Sequence, residues 1–122
     1  MSKKNETLVI GASLKPNRYS NIAIKRLRDN NQPTKAIGLR AGEVEDVTIE
    51  TNLKDFKNID TVTLYLNPKR QVDYYDYVIG LKPRRVIFNP GTENPDFYKM
   101  LRNNSIEVEV ACTLVLLSTN QY

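Results

Sequence analysis

Short apolar runs alternate with stretches of helical periodicity along most of this chain. Mainly apolar runs at residues 8–10, 35–40, 61–66 and 85–88 predict four buried β-strands. A fifth run at residues 106–110 alternates apolar and acidic positions, which favours a strand with one solvated face at or near a sheet edge. Strands that alternate with helices and connect by right-handed crossovers form a doubly wound sheet. The pattern therefore predicts an α/β fold with a parallel five-stranded sheet in the order 3-2-1-4-5 and helices on both faces.

The segments between these runs carry the helical signals. Apolar residues recur at helical spacing in residues 21–30 and again in residues 72–79, where Val72 falls on the side predicted to be buried. Asn94 and Pro95 together are typical of a helix start, because asparagine caps free amides and proline fits the first helical position. These features predict helices after the first, third and fourth strands.

The polar region 41–57 fits neither pattern over its whole length. Within it, residues 47–49 are compatible with a short extra strand and residues 53–56 with one turn of helix. The chain has 122 residues, which is enough to bury one hydrophobic core but too few for two domains. We therefore expect a single domain across residues 1–122, with its core in residues 7–117.

Composition removes several classes of function. Cys112 is the single cysteine and there is no histidine, which excludes an intramolecular disulfide, a multi-cysteine metal site, histidine-dependent triads and histidine-ligated zinc. The net charge of +4 comes from basic residues spread along the chain with acids between them, so we expect no nucleic-acid partner. No apolar run is long enough to cross a membrane, and the first residues lack an apolar signal-peptide core. This favours a cytoplasmic protein with no membrane partner.

Residues 7–21 carry the clearest functional signal. An apolar strand stops at Gly11, passes through a polar, basic loop and enters a helix, an arrangement in which free helix-start amides attract an anion. The three-glycine dinucleotide fingerprint is incomplete, because Ser13 and Pro16 stand where its second and third glycines would fall. After the second strand, Arg40 replaces the acidic residue that usually binds a ribose hydroxyl. An arginine there suits a phosphorylated ribose, as in NADP or coenzyme A (CoA).

The predicted strand order also suggests where such a ligand binds. Ligands of open parallel sheets bind beyond the carboxyl ends of the strands, where the strand order reverses. In the order 3-2-1-4-5 the reversal lies between the first and fourth strands, so the loops containing Gly11 and Asn89 should flank one crevice. The basic residues on these strand-exit loops are Lys15, Arg18, Arg40, Lys69 and Arg70. Together they predict an anion site.

Several short motifs are spread over residues 8–116. They are Gly11-Ala-Ser13, Pro16, Arg18-Tyr-Ser20, Asn67-Pro68, Asn89-Pro-Gly-Thr-Glu93 and Cys112. In this combination the chain resembles the small stand-alone CoA-binding proteins, which are similar to the CoA-binding domain of the succinyl-CoA synthetase alpha subunit. The resemblance implies a Rossmann-like fold and a pocket for a small-molecule ligand, CoA or an acyl-CoA. It implies no particular reaction, because none is established for the family as a whole.

The same resemblance implies roles for individual residues. Around the phosphates it places Gly11, Ala12, Ser13, Arg18, Tyr19 and Ser20. At the ribose phosphate or adenine end, where many relatives have Val-Asn-Pro, it places Gly38 and Arg40. Beside the nucleotide it places Leu66, Asn67 and Pro68. Toward the pantetheine arm it places Asn89, Pro90 and Gly91, with Cys112 near the thiol end.

The residues leave alternatives open. A non-catalytic carrier, sensor or partner module fits best, because no catalytic constellation is recognisable. The alternatives are an NADP-dependent oxidoreductase and an interaction protein with a vestigial nucleotide site. The interaction protein would use the tyrosine-rich helix 72–79 and the apolar tail 114–117 to bind a second copy or another protein. Cys112 is either a small buried hydrophobe or a partly exposed thiol that forms a mixed disulfide with CoA or accepts an acyl group.

Overall fold

The fold is built on a central β-sheet, seen in a computed structural model that describes residues 6–122. Within this range seven strands pair in the order β3-β4-β2-β1-β5-β6-β7. Every neighbouring pair is parallel except β3 and β4. The strands are β1 (Thr7–Ala12), β2 (Thr34–Gly38), β3 (Gly42–Val44), β4 (Val47–Glu50), β5 (Thr61–Leu64), β6 (Arg85–Phe88) and β7 (Glu107–Val110).

Helices cover both faces of this sheet. They are α1 (Tyr19–Asp29), α2 (Pro68–Gln71), α3 (Tyr75–Leu81), α4 (Pro95–Asn103) and α5 (Thr113–Ser118), and a 3₁₀ turn (Val72–Tyr74) joins α2 to α3. Leu8 and Ile10 of β1 pack in a cluster with residues of α3 and α4. Val9, which points to the opposite face, packs in a second cluster with residues of α1 and α5. The expected α/β, Rossmann-like architecture with helices on both faces is therefore confirmed.

The number and order of the strands differ from the prediction. The run predicted as the third strand, β5, pairs with β1, and the outer place beside β2 is taken by β4. Residues 47–49 were only compatible with a strand, yet Val47 and Ile49 are buried and complete the cluster under α1. The alternation of buried and exposed residues over four positions is too short to be distinguished from a loop in the sequence. The order 3-2-1-4-5 is thus wrong for the five predicted strands, and residues 53–56 do not form a helical turn.

Other local predictions can be compared directly. The fifth predicted strand, β7, lies at the sheet edge as expected. Asn94 caps α4, because its side-chain oxygen accepts a hydrogen bond from Phe97 N at 3.3 Å and Pro95 follows as the first helical residue. Val72 is 56% exposed, contrary to the prediction, because the 3₁₀ turn changes the helical phase before α3 begins at Tyr75. The apolar tail 114–117 lies within a helix, α5.

A carboxylate anchors the amino ends of β5 and β6. Asp60 accepts hydrogen bonds from Arg84 Nε at 3.0 Å, Arg84 Nη2 at 3.1 Å and Thr61 Oγ1 at 2.8 Å. Its backbone oxygen also accepts from Arg84 N at 2.8 Å. Burial alone would raise the pKa of Asp60, but the hydrogen bonds from Arg84 and Thr61 favour the charged form and bring that pKa below its ordinary value.

None of the helices in residues 6–122 has the length and apolar character needed to span a membrane.

Candidate functional site

A cavity of about 460 Å³ opens at the carboxyl ends of the central strands. It lies over β1 and β5, where the strand order reverses, and not between β1 and β6 as the predicted order required. The position of the cavity differs from the prediction because β5, and not β6, lies next to β1. The walls of the cavity are nevertheless the exit loops of β1, β2, β5 and β6. This is the position at which open parallel sheets bind ligands.

Two glycines let the strand ends converge below this cavity. Gly11 has φ +93°, and a Cβ there would lie 3.0 Å from the backbone carbonyl carbon and oxygen of Tyr65. A Cβ on Gly38 would lie only 2.3 Å from the carbonyl oxygen of Ala12. Any larger residue would push β2 or β5 away from the end of β1.

The loop after β1 is held in shape by its own polar contacts. Lys15 N donates to Ser13 Oγ at 3.1 Å, and Asn21 Nδ2 donates to Ser13 O at 2.9 Å. Asn21, which is only 2% exposed, was not singled out in the sequence because it reads as an ordinary helical position. Helix α1 begins at Tyr19 without a side-chain cap from Arg18. Tyr19 and Ser20 line the cavity, so the positive end of the helix dipole lies at its wall.

The charge of the lining is entirely positive. Its four charged members are Lys15, Arg18, Arg40 and Arg70. Other arginines of the described range have partners: Arg28 pairs with Asp46, Arg84 with Asp60 and Arg85 with Glu109, and Arg102 lies over the ring of Tyr98. By contrast, in residues 6–122 the three lining arginines have no ion pair. Outside the lining, exposed Arg26 is the one arginine of this range with neither an ion pair nor a ring contact.

A fully buried glutamine joins the two loops on the other side of the cavity. Gln71 Nε2 donates to Leu66 O at 2.8 Å and to Thr92 O at 2.8 Å. Its Oε1 accepts from Asn94 Nδ2 at 2.9 Å, and the same Nδ2 donates to Tyr75 Oη at 2.9 Å. Leu66 and Thr92 line the cavity, whereas Gln71 lies behind them. Sequence reasoning missed Gln71, because one glutamine in a polar stretch gives no periodic signal.

Most of the residues predicted for binding come together around this cavity. Those that line it are Gly11, Ala12, Ser13, Lys15, Arg18, Tyr19, Ser20, Gly38, Arg40, Leu66, Asn67, Arg70, Pro90 and Gly91. Their contacts with a ligand remain a prediction. Further lining residues, for which the sequence predicted no ligand role, are Leu14, Leu39, Tyr65, Tyr74 and Thr92. All but Tyr74 directly adjoin a predicted residue, and Tyr74 reaches the cavity from the 3₁₀ turn.

Three residues predicted for binding from the resemblance lie outside the lining, and so does exposed Lys69 of the predicted basic set. Pro68 is the first residue of α2. Asn89 is buried beneath the cavity floor, where its Nδ2 donates to Thr63 Oγ1 at 2.6 Å and Leu64 O at 2.9 Å and its Oδ1 accepts from Thr113 N at 2.8 Å. Cys112 is a partly buried free thiol immediately before α5. The side chain of Asn89 therefore has a structural role that accounts for its burial.

The lining presents basic side chains and backbone groups to the cavity. In residues 6–122 no group of three or more histidine, cysteine, aspartate or glutamate residues could hold a metal ion. Burial raises the pKa of Tyr65 above its ordinary value, so this buried phenol stays protonated at neutral pH. Glycine turns, a helix start and unpaired arginines suit a phosphorylated ligand.

A mostly parallel sheet with this cavity at its strand-order reversal defines a Rossmann-like α/β domain with a basic site at its carboxyl edge. The sequence model of the CoA binding domain matches residues 5–118. The chain belongs to this family.

Solved structures share this fold. A crystal structure of an uncharacterized protein is 41% identical, with a TM-score of 0.95, over 99% of this chain and 100% of that one. The structure of cell-free ID.343 from Thermus thermophilus is 22% identical, with a TM-score of 0.85, over 98% of this chain and 91% of that one. A hypothetical protein from Pyrococcus horikoshii OT3 is 23% identical, with a TM-score of 0.85, over 96% and 84%. The last two show the shared fold. Among curated proteins, no relative matches this chain.

Proposed function

We propose that this protein binds CoA or an acyl-CoA in the cavity over β1 and β5 and serves as a non-catalytic carrier, sensor or partner module. The observation that carries the proposal is the distribution of its arginines. Those facing the cavity lack a carboxylate partner, and most of the others have one. Unpaired guanidinium groups converging on one cavity are suited to a ligand with several phosphates.

The order of the loops along the sheet edge supports CoA in particular. Arg40 follows β2, the Gly11 loop and the start of α1 follow β1, and Asn67 and Gly91 follow β5 and β6. A CoA molecule laid along this edge would meet Arg40 with its ribose phosphate and the start of α1 with its pyrophosphate. Its uncharged pantetheine arm would then reach the loops after β5 and β6, whose lining includes Tyr74, Pro90 and Gly91.

The composition of the lining supports binding without turnover. It contains no carboxylate, and the chain has no histidine, so the commonest proton donors and acceptors are missing from the lining. Cys112 lies outside the lining residues. This supports a carrier or sensor in preference to an acyl-transferring enzyme.

Isothermal titration with CoA, dephospho-CoA, NADP and ATP tests the proposal. We expect CoA to bind most tightly, because it alone presents both a ribose phosphate and a pantetheine arm. In Arg40→Gln, CoA affinity should fall by about tenfold or more while dephospho-CoA affinity stays unchanged, since a charge-assisted hydrogen bond is worth roughly 1.5–3 kcal/mol.

Arg26→Gln provides the matched control, because Arg26 is exposed and unpaired but lies outside the cavity lining. Its CoA affinity should equal that of the wild type. Clear NADP binding in the absence of CoA binding would reject the proposal and support the oxidoreductase alternative.

A further inference from the structure

The cavity has two halves that are stabilised in different ways. One half, formed by the loops after β1 and β2, is shaped by the close backbone approach at Gly11 and Gly38 and by hydrogen bonds to Ser13. The other half, formed by residues 66–74 and 90–92, lies beyond the last paired residues of β5 and β6. Strand pairing between these two strands ends at Leu64 and Phe88.

Beyond these residues, the side chain of Gln71 connects the two loops. Its Nε2 donates to Leu66 O on one loop and to Thr92 O on the other, both at 2.8 Å. In the described chain no other hydrogen bond joins residues 66–74 to residues 90–92. Gln71 is fully buried, and Asn94 Nδ2 fixes the orientation of its amide by donating to Oε1. With every polar atom engaged, the amide has one favourable placement.

We propose that Gln71 is a positioning residue that sets the separation of these two loops and thereby the affinity of the site for the pantetheine arm. The inference rests on the proposed function. Gln71 touches no part of the cavity itself and acts through Leu66 and Thr92, which line it. When the two loops are already held at a fixed separation, less conformational entropy is lost as the flexible arm binds between them. The preformed loops therefore increase the affinity for the arm.

Because the side chain of Gln71 joins the loops after β5 and β6, its replacement should weaken binding of the pantetheine arm and not of the phosphates. Adenosine 3′-phosphate 5′-diphosphate is CoA without its pantetheine arm, so it reports on the phosphate half alone. In Gln71→Met the side chain keeps its length but loses both donated hydrogen bonds. CoA affinity should fall by about tenfold, while affinity for the fragment should stay within about twofold of the wild type.

Ile59→Ala is the matched control for a loss of stability. Ile59 is buried in the same hydrophobic cluster but precedes β5, at the end of the sheet opposite the cavity. This variant should lose thermal stability and keep both affinities. If Gln71→Met does not fold, Gln71→Asn replaces it, because asparagine keeps the amide but is one methylene too short to reach both carbonyls. Its CoA affinity should fall by less than tenfold, again with fragment affinity retained.

The outcomes separate the two proposals. If wild-type protein binds neither CoA nor the fragment, the proposed function fails and this inference fails with it. If wild-type protein binds both and the Gln71 variants lose both affinities equally, or lose neither, the proposed function stands and the positioning role is overturned. A selective loss of CoA affinity supports the positioning role, since a general loss of stability would weaken both ligands.

Discussion

Gly38 has the least room for a side chain of the glycines around the cavity. A methyl group there would meet the carbonyl oxygen of Ala12 at 2.3 Å, far inside van der Waals contact, and that oxygen belongs to backbone that cannot rotate away. Relief requires β2 to move away from β1, which would also displace Arg40 two residues later. The glycine is therefore required by the close approach of two strands.

We expect Gly38→Ala to lower the free energy of unfolding by about 1–3 kcal/mol, the usual cost of overpacking a well-packed interior. Chemical denaturation measures this directly. Gly80→Ala is the control, because a Cβ on Gly80 meets nothing within 4 Å and the residue lies in helix α3. There, alanine should raise the free energy of unfolding by roughly 0.5–1 kcal/mol. Equal stability of the two variants would contradict the close-approach explanation.

Residues of the site differ in how far the sequence could predict them. Gly11 directly follows one apolar run and Arg40 ends another, so their place at strand exits was predictable from position alone. Asn89 has the same kind of signal, yet its side chain is buried and bonded to β5 and α5. An asparagine before proline and glycine fits a ligand contact and a structural turn equally well. The distinction depends on side-chain direction, which strand periodicity does not determine at a loop.

The docking of helix α5 depends on this asparagine. Asn89 Oδ1 accepts from Thr113 N at the first residue of α5, and its Nδ2 donates to β5 at Thr63 Oγ1 and Leu64 O. Thr63 and Thr113 are joined again through their hydroxyls, which lie 2.8 Å apart. One amide therefore ties together a strand, a loop and a helix that the sequence showed only as an apolar tail.

Replacing this amide should release the helix. We expect Asn89→Ala to cost about 2–4 kcal/mol of unfolding free energy, because it leaves buried partners without hydrogen bonds. Urea denaturation measures the loss, and hydrogen exchange should show faster exchange in α5 than in α4. Asn103→Ala, at an exposed position near the end of α4, should change stability by at most about 0.5 kcal/mol. Slow exchange in α5 of Asn89→Ala would show that helix packing alone holds α5 in place.

Strand order is the element-scale property that the sequence predicted least well. The strands β1, β2, β5, β6 and β7 were all predicted within a few residues of their observed limits. Their order, however, depends on β4, whose pattern rests on Val47 and Ile49 within a polar region. Periodicity indicates which residues form a strand but carries little information about its neighbour, because pairing is decided by long-range packing.

The whole molecule should lose stability in acid through Asp60. Because the folded-state pKa of Asp60 lies below its ordinary value, its contribution is present above about pH 4 and is lost as the pH falls through the folded value. We expect Asp60→Asn to be less stable than the wild type at pH 7 and to lose less stability between about pH 5 and pH 2. Thermal unfolding across this pH range tests the expectation.

Arg84→Gln supplies the complementary variant, since it removes the guanidinium that donates two of the hydrogen bonds to Asp60. It should reduce the same acid dependence. An unchanged pH profile in both variants would mean that other groups control acid unfolding.

The reversal of strand order between β1 and β5 divides the sheet along the sequence. Strands β1 to β4 lie within residues 7–50, strands β5 to β7 lie within residues 61–110, and the two sets meet where β1 pairs with β5. The cavity sits directly above this seam and takes its walls from both sets. A ligand bound there would contact both halves of the sheet. Its binding would therefore stabilise the protein against separation of the two halves more than against local unfolding of either outer edge.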